Sequence, residues 1–462
     1  MRIFLVVALL LAVPLPSFAQ TFGAEEFKLE NGLQVVVIPN RRAPVITHMI
    51  WIKAGSADEA PGVSGMAHYL EHLLFKGTDK IGPGEYSKTI KTLGGNDNAF
   101  TGQDYTAFFE SVSVDNLEKV MEMEADRMAN INPPPAHYTS EKAVVIEERR
   151  QRTDNDPRAK FGEHMQSVLF VNHPYAIPVI GWMSEIEKYE WADVKKFYDA
   201  WYAPNNAVVV ISGDTTAAQF KPLAEKYYGA WRKKDLPPRF RPEVPPANGE
   251  TTLRLHDADI HQPVFQRMYV APAERLAKKD ARALEVLAEI MDGTPTTRFY
   301  KSLVVDQKKA TNVGFDYSGT ALDYGRITMA ATPAAGVTPE EAGALMEAEI
   351  RKVIDNGVTA AEVKGAIQRL RDQAVFARDS VQGPAMIFGN ALTTGSTVQD
   401  VENWPQEIAK VTAADVQAAA KKYLDAQNPW IRPPVTGYLL PLAPAPAQDA
   451  QKKEEGASDV QR

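Results

Sequence analysis

The sequence predicts an α+β protein made of two structurally similar domains. Predicted strands and helices follow one another without strict βαβ alternation, which is typical of α+β architectures. The chain has 462 residues, more than the roughly 250–300 that one hydrophobic core supports. A proline-rich stretch divides it into nearly equal halves, and weak sequence matches relate these halves to each other.

The first half contains the clearer secondary-structure signals. Strands are predicted on both sides of the Asn31-Gly32 turn and at residues 45–53, 108–114 and 208–211. Helices are predicted from apolar residues at helical spacing at residues 65–75, 83–93 and 115–128. A further helix, capped by Thr139 or Ser140, is predicted to run through Glu147 and Glu148.

Repeated prolines predict an extended linker at residues 236–247. Residues 20–235 would then form one domain and residues 248–440 the other. Segments of the two halves match at offsets of 216, 221 and 222, namely Gly77-Thr78 with Gly293-Thr294, Glu141 with Glu362, and Ile186 to Val194 with Ile408 to Val416. Residues 441–462 contain Ala-Pro repeats and a charged end, which predict a disordered tail.

Composition excludes several classes of protein and site. Hydrophobic residues make up 44% and charged residues 24%, as in ordinary globular proteins, so the chain is not wholly disordered. The net charge of −8, without a Lys/Arg-rich block, argues against nucleic acid as a partner. The chain has no cysteine, so a metal site must be built from histidines and carboxylates.

Residues 1–19 are predicted to be a signal peptide. Arg2 supplies the positive start, residues 3–13 an apolar run, and Ser17-Phe18-Ala19 the small residues before a cleavage site. The run is shorter than the ~20 residues that span a bilayer, and retention of the segment as an anchor is the alternative. No later stretch reaches that length. We expect an exported mature chain without a membrane span, and the absence of cysteine favours the bacterial periplasm.

The strongest functional signal is His68-Tyr69-Leu70-Glu71-His72, on a predicted helix. Residues i and i+4 project from one face of a helix, so both imidazoles can reach one ion, with Glu71 beside them. The order H-x-x-E-H is the inverted form of a zinc-peptidase motif. A structural pair of helix histidines is the less specific alternative.

A hydrolytic zinc site needs three protein ligands and an open position. The other histidines stand singly and are expected at the surface or as caps: His48, His137, His164, His173, His256 and His261. The later Glu-rich helix is the better source of a third ligand. Glu141 and Glu148 are two turns apart on one face, whereas Glu147 points about 100° away from Glu148. One of that pair would bind the metal and the other would support it, and spacing alone does not say which.

Only the first domain is expected to bind an ion, so we expect one Zn²⁺ per chain. In the second domain the positions that match the motif residues and Glu148 hold side chains unsuited to a metal, namely Leu284, Leu287, Ala288 and Arg369. Two imidazoles and one carboxylate suit zinc best among the common divalent ions.

From about residue 29 to 440 the sequence resembles the pitrilysin, insulysin and mitochondrial-processing-peptidase family of zinc metallopeptidases. The resemblance is carried by residues 31–33, 65–78, 94–95, 98–101, 141–149, 173–175 and 179–181. It implies a pair of related α+β domains that enclose a peptide-binding chamber.

The resemblance also implies a role for each metal-site residue. His68 and His72 match the zinc histidines of the family, and Glu148 matches its third ligand. Glu141 matches the carboxylate that supports the metal ligands without binding the ion, and Glu71 matches the general base. The expected activity is therefore zinc-dependent endopeptidase cleavage of peptides or unfolded polypeptides.

By the same resemblance, an extended peptide substrate would lie against an edge strand at Asn98, Ala99 and Phe100. Backbone pairing of this kind makes little demand on the peptide's sequence. From the residues alone, Asn98-Ala99 instead indicates an ordinary turn before a strand.

One departure from the family bears on activity. Active members that work alone or as homo-oligomers have an Arg and a Tyr in the second domain that reach the substrate carbonyl, and the matching residues here are Val304 and Thr311. Neither offers a charged or phenolic donor. The chain therefore resembles the zinc-bearing subunit of bacterial heterodimers, in which a metal-less homologous chain supplies the Arg/Tyr pair. The alternative is a non-catalytic zinc-binding assembly subunit or peptide-binding chaperone.

Overall fold

The structure is a computed structural model that describes residues 21–247, 249–425, 428 and 432–442. The predicted signal peptide and residues 443–462 of the predicted tail lie outside these ranges. None of the helices in the described part of the chain combines the length and the apolar character of a bilayer-spanning segment.

The first half of the chain alternates strands and helices irregularly. Its strands are β1 (Glu25–Lys28), β2 (Gln34–Pro39), β3 (Val45–Ile52), β4 (Asn96–Thr101), β5 (Thr106–Ser113) and β6 (Ala207–Gly213). Its helices are α1 (Met66–Leu73), α2 (Glu85–Thr92), α3 (Leu117–Ala129), α4 (Ala136–Arg149), α5 (Pro157–Leu169), α6 (Met183–Ile186), α7 (Trp191–Trp201) and α8 (Ala217–Tyr228).

The described part of the second half repeats this pattern with fewer strands. Its strands are β7 (Thr251–Asp257), β8 (Val264–Pro272), β9 (Ala310–Ser318), β10 (Tyr324–Pro333) and β11 (Val435–Pro441). Its helices are α9 (Lys278–Asp292), α10 (Pro339–Asn356), α11 (Ala360–Asp379), α12 (Gln382–Thr393), α13 (Val398–Ile408) and α14 (Ala413–Leu424).

The two sheets have the same topology apart from the extra strand β1. The first sheet has the order β1-β2-β6-β3-β5-β4 and the second the order β7-β11-β8-β10-β9. Apart from β1, each sheet has five strands, and the strands that come first and last in the chain are neighbours that pair in parallel: β2 with β6, and β7 with β11. All other neighbouring strands of these five-stranded sets pair antiparallel. The predicted α+β fold with two similar domains is confirmed.

Each half contributes one helix to the sheet of the other half. On α12, Phe388 packs against the first sheet at Trp51 of β3, in one apolar cluster of buried residues. On α5, Phe161 and Met165 pack against the second sheet beside Leu439 of β11. Burial on both faces explains why the strands at the centre of the first sheet are almost wholly apolar.

The α12 contact depends on a glycine. A Cβ atom at Gly389 would lie only 1.9 Å from the Trp51 ring, and the Trp51 side chain is fully buried. A backbone that approaches an aromatic ring this closely leaves room for no other residue.

The segment between the halves joins them through a buried charge. None of its described residues between Tyr228 and Thr251 belongs to a helix or strand. Its Arg241 guanidinium lies 2.9 Å from carboxylate oxygens of Asp58, Asp104 and Asp323. Because two of these carboxylates belong to the first half and one to the second, Arg241 ties the two halves together.

Two predictions about the first half, one on a helix cap and one on His48, were wrong. Helix α4 begins at Ala136, after Pro135, and not at a cap formed by Thr139 or Ser140. The Ser140 hydroxyl donates to the carbonyl of Ala136 inside the helix, because a serine can bond back to the preceding turn. His48 is fully buried rather than at the surface, and its ring lies between Glu110 and the Tyr228 hydroxyl, at 3.3 and 2.8 Å.

Candidate metal centre

Helix α1 carries the two histidines of the motif, and its start is held firmly. The ring centroids of His68 and His72 lie 4.7 Å apart, one helical turn from each other. The Glu59 carboxylate accepts the backbone N–H groups of Gly65 and Ala67, each at 2.8 Å. Carboxylates are favourable at a helix N-terminus, where backbone N–H groups lack partners, so Glu59 fixes the helix that positions both rings.

Gly65 itself is required by the local backbone. It has φ +86, and a Cβ atom there would lie 2.3 Å from the carbonyl oxygen of Ile180. Only glycine meets both conditions readily. Helix α1 can therefore begin directly before the motif because glycine lets the backbone at residue 65 lie against the Ile180 carbonyl.

The third group comes from helix α4. Oε2 of Glu148 lies 3.2 Å from Nε2 of His72 and 3.7 Å from Nε2 of His68. Ligand atoms of these three side chains all lie within 4.8 Å of one another. Around zinc with bonds of about 2.0–2.1 Å, tetrahedral ligand atoms are about 3.3–3.4 Å apart, a spacing that lies between the two Glu148 distances.

Glu141 lies on the other side of the same ring. Its Oε1 is 2.9 Å from Nδ1 of His72, and its Oε2 is 2.7 Å from Nζ of Lys76. This contact orients the ring and leaves Nε2 turned toward Glu148. Glu147 is exposed and lies 3.5 Å from Arg150, and no ion pair in the described chain joins it to either imidazole. The geometry therefore distinguishes Glu148 from Glu141, which spacing alone left open.

The pKa values of the two imidazoles are shifted in opposite directions. Burial opposes a charge on His72, but hydrogen bonds to Glu141 and Glu148 outweigh it and raise the pKa of His72 to about 9. Burial and the neighbouring His72 charge lower the pKa of His68 to about 4. The carboxylates thus favour positive charge at this position, which is the electrostatic condition for binding a cation.

Glu71 lies beside the group without belonging to it. Burial raises the pKa of its carboxyl to about 7, against the opposing effect of a hydrogen bond from Thr101. The Thr101 hydroxyl donates to Oε2 of Glu71 at 2.6 Å. A carboxylate with a pKa near the working pH is suited to general base catalysis.

Asn98, Ala99 and Phe100 lie on β4, so the alternative prediction of a turn at Asn98-Ala99 was wrong. Among the described strands, β4 is at the edge of the first sheet and pairs only with β5. The backbone N–H of Ala99 donates to the side-chain oxygen of Asn98, its own neighbour in sequence. The open edge borders a cleft of about 850 Å³ whose lining includes the His68, His72 and Glu148 group.

The matching position in the second half holds an ion pair instead of a ligand set. Leu284 and Leu287 are buried in the second core, and Ala288 packs against it. Nε of Arg369, at the position of Glu148, lies 2.5 Å from the carboxylate of Glu289. Leucine and alanine side chains and an arginine that is paired with Glu289 provide no metal ligands at this position.

Sequence reasoning missed three side chains that touch the site. Thr101 contacts Glu71, Lys76 contacts Glu141, and Arg152 lies 2.7 Å from Oε1 of Glu148. The spacing contained a signal for two of them. Lys76 follows His72 by four residues and Arg152 follows Glu148 by four, so each lies one helical turn from a predicted site residue.

Comparison with known proteins identifies the family. Residues 34–181 match the insulinase (M16) peptidase family, and residues 190–370 match the peptidase M16 inactive domain. The chain belongs to the M16 peptidase family. The residues matched to the inactive domain include Glu289 and Arg369, which form the ion pair in the second half.

Individual relatives cover nearly the whole chain. The zinc protease PqqE of Helicobacter pylori is 30% identical over 409 residues, which are 87% of this chain and 91% of that protein. The crystal structure of a protease from Helicobacter pylori has a TM-score of 0.83 at 28% identity, and the match covers 90% of this chain and 99% of that one. The periplasmic protease PqqL of Escherichia coli shares the fold, with a TM-score of 0.75 at 17% identity over 96% of this chain and 51% of PqqL.

Proposed function

We propose that this chain is a zinc-dependent endopeptidase that hydrolyses peptides or unfolded polypeptides. The observation that carries the proposal is the convergence of His68, His72 and Glu148 beside Glu71, a buried carboxylate outside the ligand group. Zinc held by these three side chains would supply a Lewis acid and lower the pKa of water toward about 7. The zinc protease name of the Helicobacter pylori relative supports the same ion.

Glu71 has the position and the pKa of a proton carrier. It would take a proton from the attacking water and return it to the leaving amine. The Thr101 hydroxyl donates a hydrogen bond to Oε2, so we expect Oε1 to accept and release the proton. The pKa of about 7 lets the carboxyl group both accept and release a proton near neutral pH.

The open edge of β4 is the proposed binding site for the substrate backbone. An extended peptide would pair with the strand at Asn98, Ala99 and Phe100. The hydrogen bond between the Ala99 N–H and the Asn98 side chain is local, so a peptide carbonyl can replace it. Because a folded domain rarely offers an extended segment, peptides and unfolded chains are the expected substrates.

We further propose that a homologous, metal-less chain completes the active site. Val304 packs against the second core, and the Thr311 hydroxyl donates to the carbonyl of Thr332 at 3.2 Å, so neither side chain is available to a substrate oxyanion. PqqL, which is about twice as long, shows that this fold occurs as half of a larger protein. The signal peptide predicted at residues 1–19 supports a periplasmic location for this chain.

The test of catalysis is Glu71→Gln in the full chain, assayed together with any protein that copurifies. We expect the variant to retain zinc and to lose hydrolysis of an unfolded reporter polypeptide. Glu147→Gln is the matched control, because Glu147 is exposed and contacts neither imidazole. If the native chain retains zinc but hydrolyses nothing, with or without its partner, the non-catalytic alternative is correct.

The test of the partner is purification of the tagged chain from its own host. We expect a homologous chain with the Arg/Tyr pair to copurify, and we expect hydrolysis to rise when it is added back. Full activity from the isolated chain would refute the need for a partner.

A further inference from the structure

The helix that carries Glu148 ends in an unusual turn. Residues Arg150–Asp154 form a π-helical turn directly after α4, closed by a 2.8 Å bond from the Asn155 N–H to the Arg150 carbonyl. In the second half, α11 continues as a regular α-helix through the matching positions, residues 371–375. Single π turns are frequent at functional sites. Here the turn occurs beside the candidate metal site, whereas the π-helical segment of the second half, Tyr300–Asp306, lies at a position that does not match it.

Within this turn, Arg152 contacts the Glu148 oxygen that faces away from the imidazoles. Oε2 of Glu148 faces both imidazoles, whereas Oε1 lies 2.7 Å from the Arg152 guanidinium. Glu141 is arranged in the same way, with Oε1 on His72 and Oε2 on Lys76. Each carboxylate thus has one oxygen on an imidazole and the other on a cation.

The ion pair between Arg152 and Glu148 contributes little to the stability of the fold. The Arg152 side chain is 75% exposed, and ion pairs of exposed side chains typically contribute only about 0–1 kcal/mol. Within the described chain, no other side chain pairs with Oε1 of Glu148, and Arg152 is the only Lys or Arg among the residues that line the cleft. Its removal would leave the Glu148 carboxylate free to turn away from the rings.

We propose that Arg152 is a positioning residue, which holds Oε1 of Glu148 so that Oε2 stays turned toward His68 and His72. The inference rests on the proposed function in one respect, namely that Glu148 binds the metal. Partners that orient metal ligands typically change metal affinity about 10–100-fold when they are removed.

The test compares Arg152→Ala, Arg152→Lys and Arg150→Ala in the full chain. Arg150 is the matched control because it lies in the same turn, is exposed, and pairs with Glu147 rather than with Glu148. Zn²⁺ affinity is measured by competition with a chromophoric chelator, and folding by circular dichroism and thermal melting. We expect Arg152→Ala to bind Zn²⁺ about 10-fold more weakly or worse, Arg152→Lys to recover part of the loss, and Arg150→Ala to match the native chain.

Peptide hydrolysis supplies a second readout. With limiting Zn²⁺ the Arg152→Ala chain should lose activity, and saturating Zn²⁺ should restore kcat with KM unchanged. Native affinity for Zn²⁺ in Arg152→Ala would refute the positioning role, and so would an increase in KM alone, which would mark Arg152 as a substrate contact. A native chain that bound Zn²⁺ no better than His72→Ala would refute the proposed function itself.

Discussion

Glu141→Gln tests whether the carboxylate behind His72 supports metal binding. Glu141 is 6% exposed, and its two oxygens contact Nδ1 of His72 at 2.9 Å and Nζ of Lys76 at 2.7 Å. Glutamine keeps the size of the side chain but removes the charge, so the hydrogen bond to His72 is no longer assisted by a carboxylate. The Lys76 ammonium also loses its partner, although it can reach water because it is 29% exposed.

The expected loss in Zn²⁺ affinity is about 10–100-fold, or about 1.4–2.7 kcal/mol. Thermal stability should change little, because the polar groups retain either a partner or access to water. Affinity is measured by chelator competition at constant pH, and bound metal by elemental analysis of the purified chain.

Glu147→Gln is the control for this experiment. It removes the same charge from the same helix, but Glu147 is exposed and touches neither ring. Native Zn²⁺ affinity in Glu141→Gln, or an equal loss in both variants, would refute the idea that Glu141 acts by orienting His72.

Three further outcomes follow from contacts described above. Thr101→Val removes the hydroxyl that donates to Glu71 and should lower kcat about 10-fold with KM unchanged, whereas Thr101→Ser should restore it; equal kinetics in all three chains would contradict this role. Gly389→Ala places a Cβ atom against Trp51 and should lower the free energy of unfolding by about 1–3 kcal/mol, which denaturant titration measures; native stability would show that α12 does not pack there. A hydrogen bond from Arg298 lowers the pKa of Glu362 to about 2, so the stabilisation from this pair is present above pH 4.5 and is lost as the pH falls toward 2. Because the carboxylate is partly exposed, we expect about 1 kcal/mol, seen as a smaller acid-induced decrease in stability for Glu362→Gln.

Local sequence patterns predicted the fold class and the first part of the site. The H-x-x-E-H order places His68, Glu71 and His72 by helical geometry alone. The second half could be recognised as metal-less because its matching positions hold leucine, alanine and arginine. Such patterns succeed where one helix or one pair of adjacent strands determines the arrangement.

Features that depend on tertiary contacts were not predictable in this way. Spacing could not choose between Glu141 and Glu148, because that choice depends on how α4 crosses α1 and on which ring nitrogen each carboxylate meets. The burial of His48 depends on Glu110 and on Tyr228, which is 180 residues away. The spacing of four residues indicated that Arg152 lies near Glu148, but the π turn after α4 was visible only in the structure.

The reciprocal placement of α5 and α12 implies that neither half is complete by itself. Residues 20–247 expressed alone would leave the Trp51 face of their sheet in contact with water, and residues 249–442 would expose the face that α5 covers. We therefore expect cooperative unfolding of the whole chain in a single transition. The equivalence of α5 and α12 also suggests an origin. A half-length ancestor would have formed a dimer in which each copy packed this helix against the sheet of the other copy, and gene fusion would have joined the two copies into one chain.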